Sequence, residues 1–133
     1  MKIQIREGSA AKNFDELIPL IEEHPDKIMF CSDDKHPDSL AESHVNRLVS
    51  RALAKGYDTM AVLRAATLNA KEHYNLEVGL LQEGDPADMV LVDNLEDFNI
   101  LETYIDGQLV AIDGQTRIEP VKEEQPNVFK AAK

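Results

Sequence analysis

Two aspartates, Asp33 and Asp34, follow an apolar run at residues 28–31 after one intervening serine and stand where a buried strand would end. A carboxylate in that position can ligate a divalent metal and can move protons at a water that the metal activates. The neighbouring carboxylate would point elsewhere and could hydrogen-bond a substrate. A solvated turn or a helix cap also contains such pairs, because Asp favours both. The local sequence therefore leaves two alternatives open, the edge of an active site and an ordinary polar turn.

The other candidate site residues give weaker evidence for chemistry than this pair does. Arg6 and Glu7 follow the first strand-like segment and are expected at the same end as Asp33, although a simple surface ion pair explains them equally well. Lys12 and Lys35 could meet an anionic or polar substrate, but solvent exposure is the default for lysine. The four histidines form no HxH or HExxH pair and do not define a zinc site. Cys31 lies in the apolar run and is interpreted as a core residue.

The elements that would position these side chains are a strand, a helix and a second strand. Ile3 and Ile5 alternate with polar residues, and residues 27–32, which contain the apolar run 28–31, are predicted as a short buried strand. Between them a helical pattern begins at Asn13, a plausible N-cap, and is interrupted by Pro19. This length fits a βαβ unit, in which chemistry gathers at the carboxyl ends of parallel strands.

Downstream, the sequence predicts two helices. The segment SLAE at residues 39–42 has the spacing of a capping box, and Gly56 is a good helix stop. The second helix is expected at residues 59–70, with its apolar face formed by Met60, Leu63, Ala66 and Thr67.

The hydrophobic period changes after residue 84. Apolar runs at 89–92, 100–105 and 109–112 predict strands, and Asp106-Gly107 predicts a hairpin turn. The organisation is therefore α/β: residues 1–75 are typical of α/β barrel material, residues 76–118 of a small antiparallel β unit, and residues 119–133 of an irregular tail.

Composition limits the class of partner. The chain has 133 residues with 14 basic and 25 acidic side chains, a net charge of -11, and no cluster of Lys and Arg stands out in the sequence. Binding to nucleic acid or to an anionic membrane is disfavoured, because both require a basic face. The single Cys31 cannot form an internal disulfide, and no segment has the pattern of a signal peptide or a membrane span, which together indicate a cytoplasmic protein.

Several segments, in order, resemble the adenine deaminases of the amidohydrolase superfamily. They are IREGSAAKN (5–13), MFCSDDKHPD (29–38), VLRAATLNAKEHYNL (62–76), GLLQEGDPADMVLVDNL (79–95) and YIDGQLVAIDG (104–114). The third and fourth contain a closing signature that is general in the superfamily, whereas REGSAAKN and SDDKHP indicate adenine deaminase in particular.

The resemblance implies a metal-dependent (β/α)8 barrel with an attached small β-sandwich domain, in which the two strands here are the seventh and eighth. It also implies that Asp33 matches the metal-associated aspartate, which acts as general base and returns a proton to the purine. Asp34 would hydrogen-bond the purine ring, and Arg6 and Glu7 would contribute to the substrate site. The reaction would convert adenine to hypoxanthine and ammonia, with a divalent metal, manganese or iron, in the complete enzyme.

The superfamily's HxH motif, bridging carboxylate and later histidines have no counterpart in this sequence. The expectation is therefore a C-terminal fragment that binds no metal and is inactive alone, and that self-associates or requires an N-terminal half. The alternative is a non-catalytic remnant or interaction module that retains the scaffold.

Overall fold

The computed structural model describes residues 1–121 of the chain. The tail predicted at 119–133 lies mostly outside the described residues. The elements, in chain order, are β1 (Ile3–Arg6), α1 (Phe14–Leu17), α2 (Leu20–Glu23), β2 (Ile28–Cys31), α3 (Pro37–Glu42), α4 (Val45–Ala54), α5 (Thr59–Ala66), α6 (Leu68–Tyr74), β3 (Met89–Val92), β4 (Ile100–Ile105), β5 (Gln108–Ile112) and β6 (Gln115–Thr116). The mixed α/β class predicted from the sequence is confirmed, with one parallel and one antiparallel sheet.

The first sheet is the predicted βαβ unit. β1 and β2 pair in parallel, with Ile3 opposite Ile28 and Arg6 opposite Cys31. Since side chains alternate along a strand, Ile5 and Phe30 lie on the same face, where they are buried in the core. The carboxyl ends of both strands therefore lie at the same edge.

The helix between these strands is broken at the predicted place. Pro19 lacks a backbone N–H, and the chain forms two short helices, α1 and α2, on either side of it. Phe14, Ile18 and Ile21 are nevertheless all buried, so the expected apolar face is kept across the break.

Two details of the following helices differ from the expectation. α3 begins at Pro37, the favoured first position for proline, so Ser39 lies inside the helix and the predicted capping box is wrong. The single expected helix is also divided, because Ser43 is extended and separates α3 from α4.

The second predicted helix is likewise divided, into α5 and α6, and its buried face is not the expected one. Val62, Ala65 and Asn69 are buried, whereas Met60 is exposed. The core of the first sheet selects the side with the smaller Val and Ala side chains.

The antiparallel sheet has the strand order β3-β4-β5-β6. The predicted hairpin turn is confirmed: Asp106 and Gly107 both have positive φ, as a two-residue hairpin turn of the Asn-Gly or Asp-Gly kind requires. Phe98, in the loop before β4, is buried and belongs to the same core cluster as Phe14 and Ile5. No helix within residues 1–121 combines the length and apolar character that crossing a membrane requires.

Candidate active site

The carboxyl ends of β1 and β2 bring two of the predicted site residues together. Nη1 of Arg6 lies 3.2 Å from Oδ2 of Asp33, and about a third of the Asp33 side chain is exposed to solvent. Asp33 has a φ of 50°, in the left-handed region that few residues other than glycine adopt. A carboxylate on a tight turn beside an arginine therefore occupies the strand end where α/β proteins place chemistry.

Arg6 is held in place from the other side of the loop. Its backbone N–H donates to Oδ1 of Asn13 at 2.8 Å, and its carbonyl accepts from the backbone N–H of Asn13 at 3.1 Å. Asn13 occupies the expected N-cap position, but its side chain makes this bond to Arg6 and none to the helix. The side chain of Asn13 thus stabilises the end of β1 and does not cap the helix.

Asp34 connects the two loops. Its Oδ2 accepts a hydrogen bond from the backbone N–H of Ala10 at 3.2 Å. Its Oδ1 lies so close to Gly8 that an added Cβ there would overlap it. The N–H of His36 donates to Oγ of Ser9 at 2.9 Å, which adds a second tie between the loops. The SDDKH and REGSA segments therefore form one interlocked unit.

Glu7 lies on the opposite side of the strand end from Arg6. Its Oε2 is 3.1 Å from Nη1 of Arg51 on α4, and the guanidinium of Arg51 stacks over the ring of Phe14 at 4.1 Å. Alternation along the strand explains this separation, because Arg6 and Glu7 are neighbours in sequence. The structure thus places Arg6 beside Asp33 and places Asp34 against the loop that contains Ala10. Glu7 lies on the side of α4.

Cys31 is half-buried next to this site. Its Sγ lies 3.9 Å from Oε1 of Gln4, and burial raises the pKa of the thiol above its usual value. A raised pKa keeps the thiol protonated at neutral pH and agrees with its interpretation as a residue that does not act as a nucleophile.

The side chains at this strand end meet only part of what a divalent metal requires. Asp33 fits as one ligand, because its carboxylate is partly exposed and Arg6 occupies only part of its capacity for contacts. Within residues 1–121 no group of three or more His, Cys, Asp or Glu side chains could enclose an ion. The described residues therefore fit a single contribution to a metal site and do not form a complete one.

Sequence reasoning missed Arg51 and Asn69. Arg51 contacts Glu7 and also Asp15, 36 residues earlier in the chain, and nothing near Arg51 in the sequence indicates these partners. Asn69 is fully buried, and its Nδ2 donates to the carbonyl oxygens of Pro25 and Ile28 at 2.7 and 2.8 Å. For Asn69, the sequence signal is a polar residue among the apolar residues of a predicted helix.

The sequence is similar to known proteins over nearly its whole length. The sequence model described as "Amidohydrolase family" matches residues 2–110. The chain is 62% identical over 131 residues to an adenine deaminase of Salinibacter ruber, 57% identical over 129 residues to one of Sulfurovum sp., and 52% identical over 134 residues to one of Methanosarcina mazei. These matches cover 98%, 97% and 100% of the chain but only 24% of each relative. The chain thus spans about a quarter of the length of these curated relatives.

Two solved structures have a fold similar to that of this chain. Two crystal structures of a beta-aspartyl dipeptidase from Fervidobacterium islandicum AW-1, one with a beta-Asp-Leu dipeptide, match with TM-scores of 0.67 and 0.69. Each match covers 91% of this chain, and 36% and 34% of the dipeptidase chains, at 20% and 21% identity. The match over residues 2–110 includes the Asp33–Arg6 strand end and most of the antiparallel sheet, and it shows that the chain belongs to the amidohydrolase family.

Proposed function

We propose that this chain forms part of an adenine deaminase and supplies one wall of its active site. The observation that carries the proposal is the Asp33–Arg6 pair at the carboxyl ends of two parallel strands, in a chain 45–62% identical to proteins named adenine deaminase. In this proposal β1 and β2 are the last two strands of a (β/α)8 barrel. The segment 1–75 belongs to that barrel, and 76–118 belongs to a small β-sandwich domain.

The proposed reaction is hydrolysis of adenine at C6, which consumes one water and gives hypoxanthine and ammonia. Asp33 accepts a proton from the attacking water and returns it to the purine ring, which a partly exposed carboxylate can do within one cycle. A divalent metal, manganese or iron, with Asp33 among its ligands, would supply Lewis-acid activation of the water. Its other metal ligands would come from protein outside this chain. We place the complete enzyme in the cytoplasm.

The other predicted site residues have different relations to Asp33. Arg6 donates to the Asp33 carboxylate and so holds its orientation, while its partly exposed guanidinium can also meet a purine. Asp34 is the proposed partner of the purine ring, with Oδ2 already held by Ala10. Glu7 remains a predicted substrate residue, but its ion pair with Arg51 argues for a supporting position behind the loop.

A chimera tests the proposal. In the Salinibacter ruber relative, the matched segment is replaced by this chain, and ammonia release from adenine is measured with manganese or iron(II) present. We expect activity, and Asp33→Asn should reduce kcat by at least ~100-fold because the general base is lost. Asp38→Asn, an exposed aspartate in the first turn of α3, is the matched control and should change kcat by less than about twofold.

Each result separates the hypotheses. A folded but inactive chimera would favour the non-catalytic scaffold over the deaminase. An active chimera that tolerates Asp33→Asn would retain the deaminase but remove Asp33 from its chemistry. Ammonia release by the pure 133-residue chain would contradict the expected need for further protein.

A further inference from the structure

A polar cleft lies on the helix side of the loop at residues 7–12. Its volume is about 360 Å³, within the range of small-molecule sites. The walls are this loop, Lys35, the junction between α3 and α4, and one face of α4. Asp33, Asp34 and Arg6 do not line it but Glu7 does, so the cleft adjoins the proposed deaminase site on the helix side of the loop.

The cleft is locally basic in a strongly acidic chain. It is lined by four cationic side chains and two carboxylates, whereas the chain as a whole carries 25 acidic and 14 basic residues. The cations are Lys12, Lys35, Arg47 and Arg51, and the acids are Glu7 and Glu42. Glu7 is already paired with Arg51 at 3.1 Å. With that pair subtracted, three cations and a single carboxylate remain in the lining, which is a local excess of positive charge.

Three of these cations are available to a ligand. Within residues 1–121, Lys12, Lys35 and Arg47 take part in no ion pair, although acidic residues outnumber basic ones in the chain. Nζ of Lys35 donates to the carbonyl oxygen of Ser43 at 2.7 Å, which fixes it on the cleft wall and leaves a further N–H for a ligand.

The N-terminal end of α4 adds to this excess of positive charge. Its first turn contains no acidic residue and has Arg47 instead, at the end where the helix dipole disfavours a cation. An anion at this end of the helix would relieve the unfavourable proximity of like charges.

We propose that the cleft binds the phosphate group of a phosphomonoester. Three cations on separate walls suit a tetrahedral dianion, whereas a planar carboxylate is met best by one guanidinium fork. The volume leaves room for an organic group beside the phosphate. Adenine is neutral at pH 7 and does not need such a cleft, so the proposal is independent of the deaminase reaction.

Binding to the 133-residue chain tests the proposal. Inorganic phosphate and glycerol 3-phosphate are titrated at low ionic strength, and affinity is measured by calorimetry, with amide chemical shifts locating the site. We expect saturable binding of both ions and shifts at residues 8–12, 35 and 43–47. Arg47→Gln and Lys12→Gln should each weaken binding by about tenfold, because each removes a charge-assisted hydrogen bond.

Lys55→Gln is the matched control. It makes the same change of charge at the far end of α4, where Lys55 pairs with Asp15 outside the cleft. Affinity within about twofold of the unsubstituted chain supports the site, and an equal loss in all three variants would show non-specific charge attraction.

Binding of inorganic phosphate alone would favour a free-ion site over a phosphomonoester. Failure of both ions to bind the folded chain would overturn the proposal. Thermal unfolding of each variant shows whether it is folded.

Discussion

The two regions of the molecule differ in how they cover their apolar residues. In the parallel unit, Ile5, Ile28 and Val62 are fully buried beneath the helices. In the antiparallel unit, the consecutive residues Met89, Val90 and Leu91 are 37%, 48% and 49% exposed. Since side chains alternate along a strand, both faces of β3 present apolar groups to solvent. The first unit buries its own core beneath its helices, whereas the second leaves apolar side chains exposed on both faces of β3.

The largest expected contrast is in core truncation. Phe14→Ala should lower the free energy of unfolding by ~3–5 kcal/mol, because Phe14 is buried and packs near Phe30 and beneath Arg51. Val90→Ala on the exposed strand should cost less than ~1 kcal/mol. Urea unfolding of both variants measures the difference. Equal losses would show that β3 is covered in solution, for example by a second copy of the chain.

A buried and an exposed asparagine give the next contrast. Asn69→Ala leaves the carbonyl oxygens of Pro25 and Ile28 without their donor, and should lower the free energy of unfolding by ~1–3 kcal/mol. Asn94→Ala removes an exposed turn contact to the N–H groups of Glu96 and Asp97, and should cost less than ~1 kcal/mol. Chemical denaturation compares the two variants. A larger loss for Asn94→Ala would mean that the turn before β4 holds the fold more firmly than the start of β2.

For substitutions at glycine, we expect the larger loss of stability in the antiparallel unit. A Cβ at Gly79 would overlap the backbone carbonyl of Pro86, whereas a Cβ at Gly8 would overlap the side chain of Asp34 and lie 3.1 Å from the backbone oxygen of Ala11. A side chain can rotate away and a backbone must shift, so Gly79→Ala should destabilise by ~1–3 kcal/mol and Gly8→Ala by less. Thermal unfolding ranks them. In the chimera, Gly8→Ala should also slow adenine deamination if Asp34 holds the purine, and unchanged kinetics would remove that role.

The smallest expected effect is a pH dependence in the antiparallel unit. Hydrogen bonds from the N–H groups of Asp106 and Gly79 hold the pKa of Asp88 below its ordinary value. A lowered pKa in the folded state stabilises the protein above the unfolded value, and this stabilisation is lost as pH falls through the folded pKa. Asp88→Asn should therefore be less stable than the unsubstituted chain at pH 6, and the difference should shrink as pH falls through the lowered pKa of Asp88. A difference that stays constant down to pH 2 would assign the effect to shape and not to charge.

Local chemistry made part of the fold predictable. Pro19 divides the helix because it falls inside the helical pattern, where its missing N–H breaks a hydrogen bond, and Asp106-Gly107 favours the hairpin turn regardless of its surroundings. The pairing of Arg6 with Asp33 follows from parallel strands whose ends coincide.

The features that could not be predicted depend on contacts between distant residues. Lys35 bonds the carbonyl of Ser43, which stands extended at the break between α3 and α4, although the sequence there continues a helical pattern. Met60 is exposed while Val62 is buried, because the core rather than the periodicity selects the face of α5. Arg51 meets Glu7 only after α4 packs beside the loop.

The opposite orientations of Arg6 and Glu7 have a consequence for the kinds of mutation that this strand tolerates. Deleting one residue from β1 while keeping its pairing with β2 would turn Glu7 toward Asp33 and move the arginine out of reach of its carboxylate. Two acids would then adjoin where an acid and a base now meet, and Arg51 would lose its partner. Substitutions within β1 change one contact at a time, but a single-codon insertion or deletion exchanges the two sides at once. Length variation among homologous chains should therefore be confined to the loops on either side of residues 3–7.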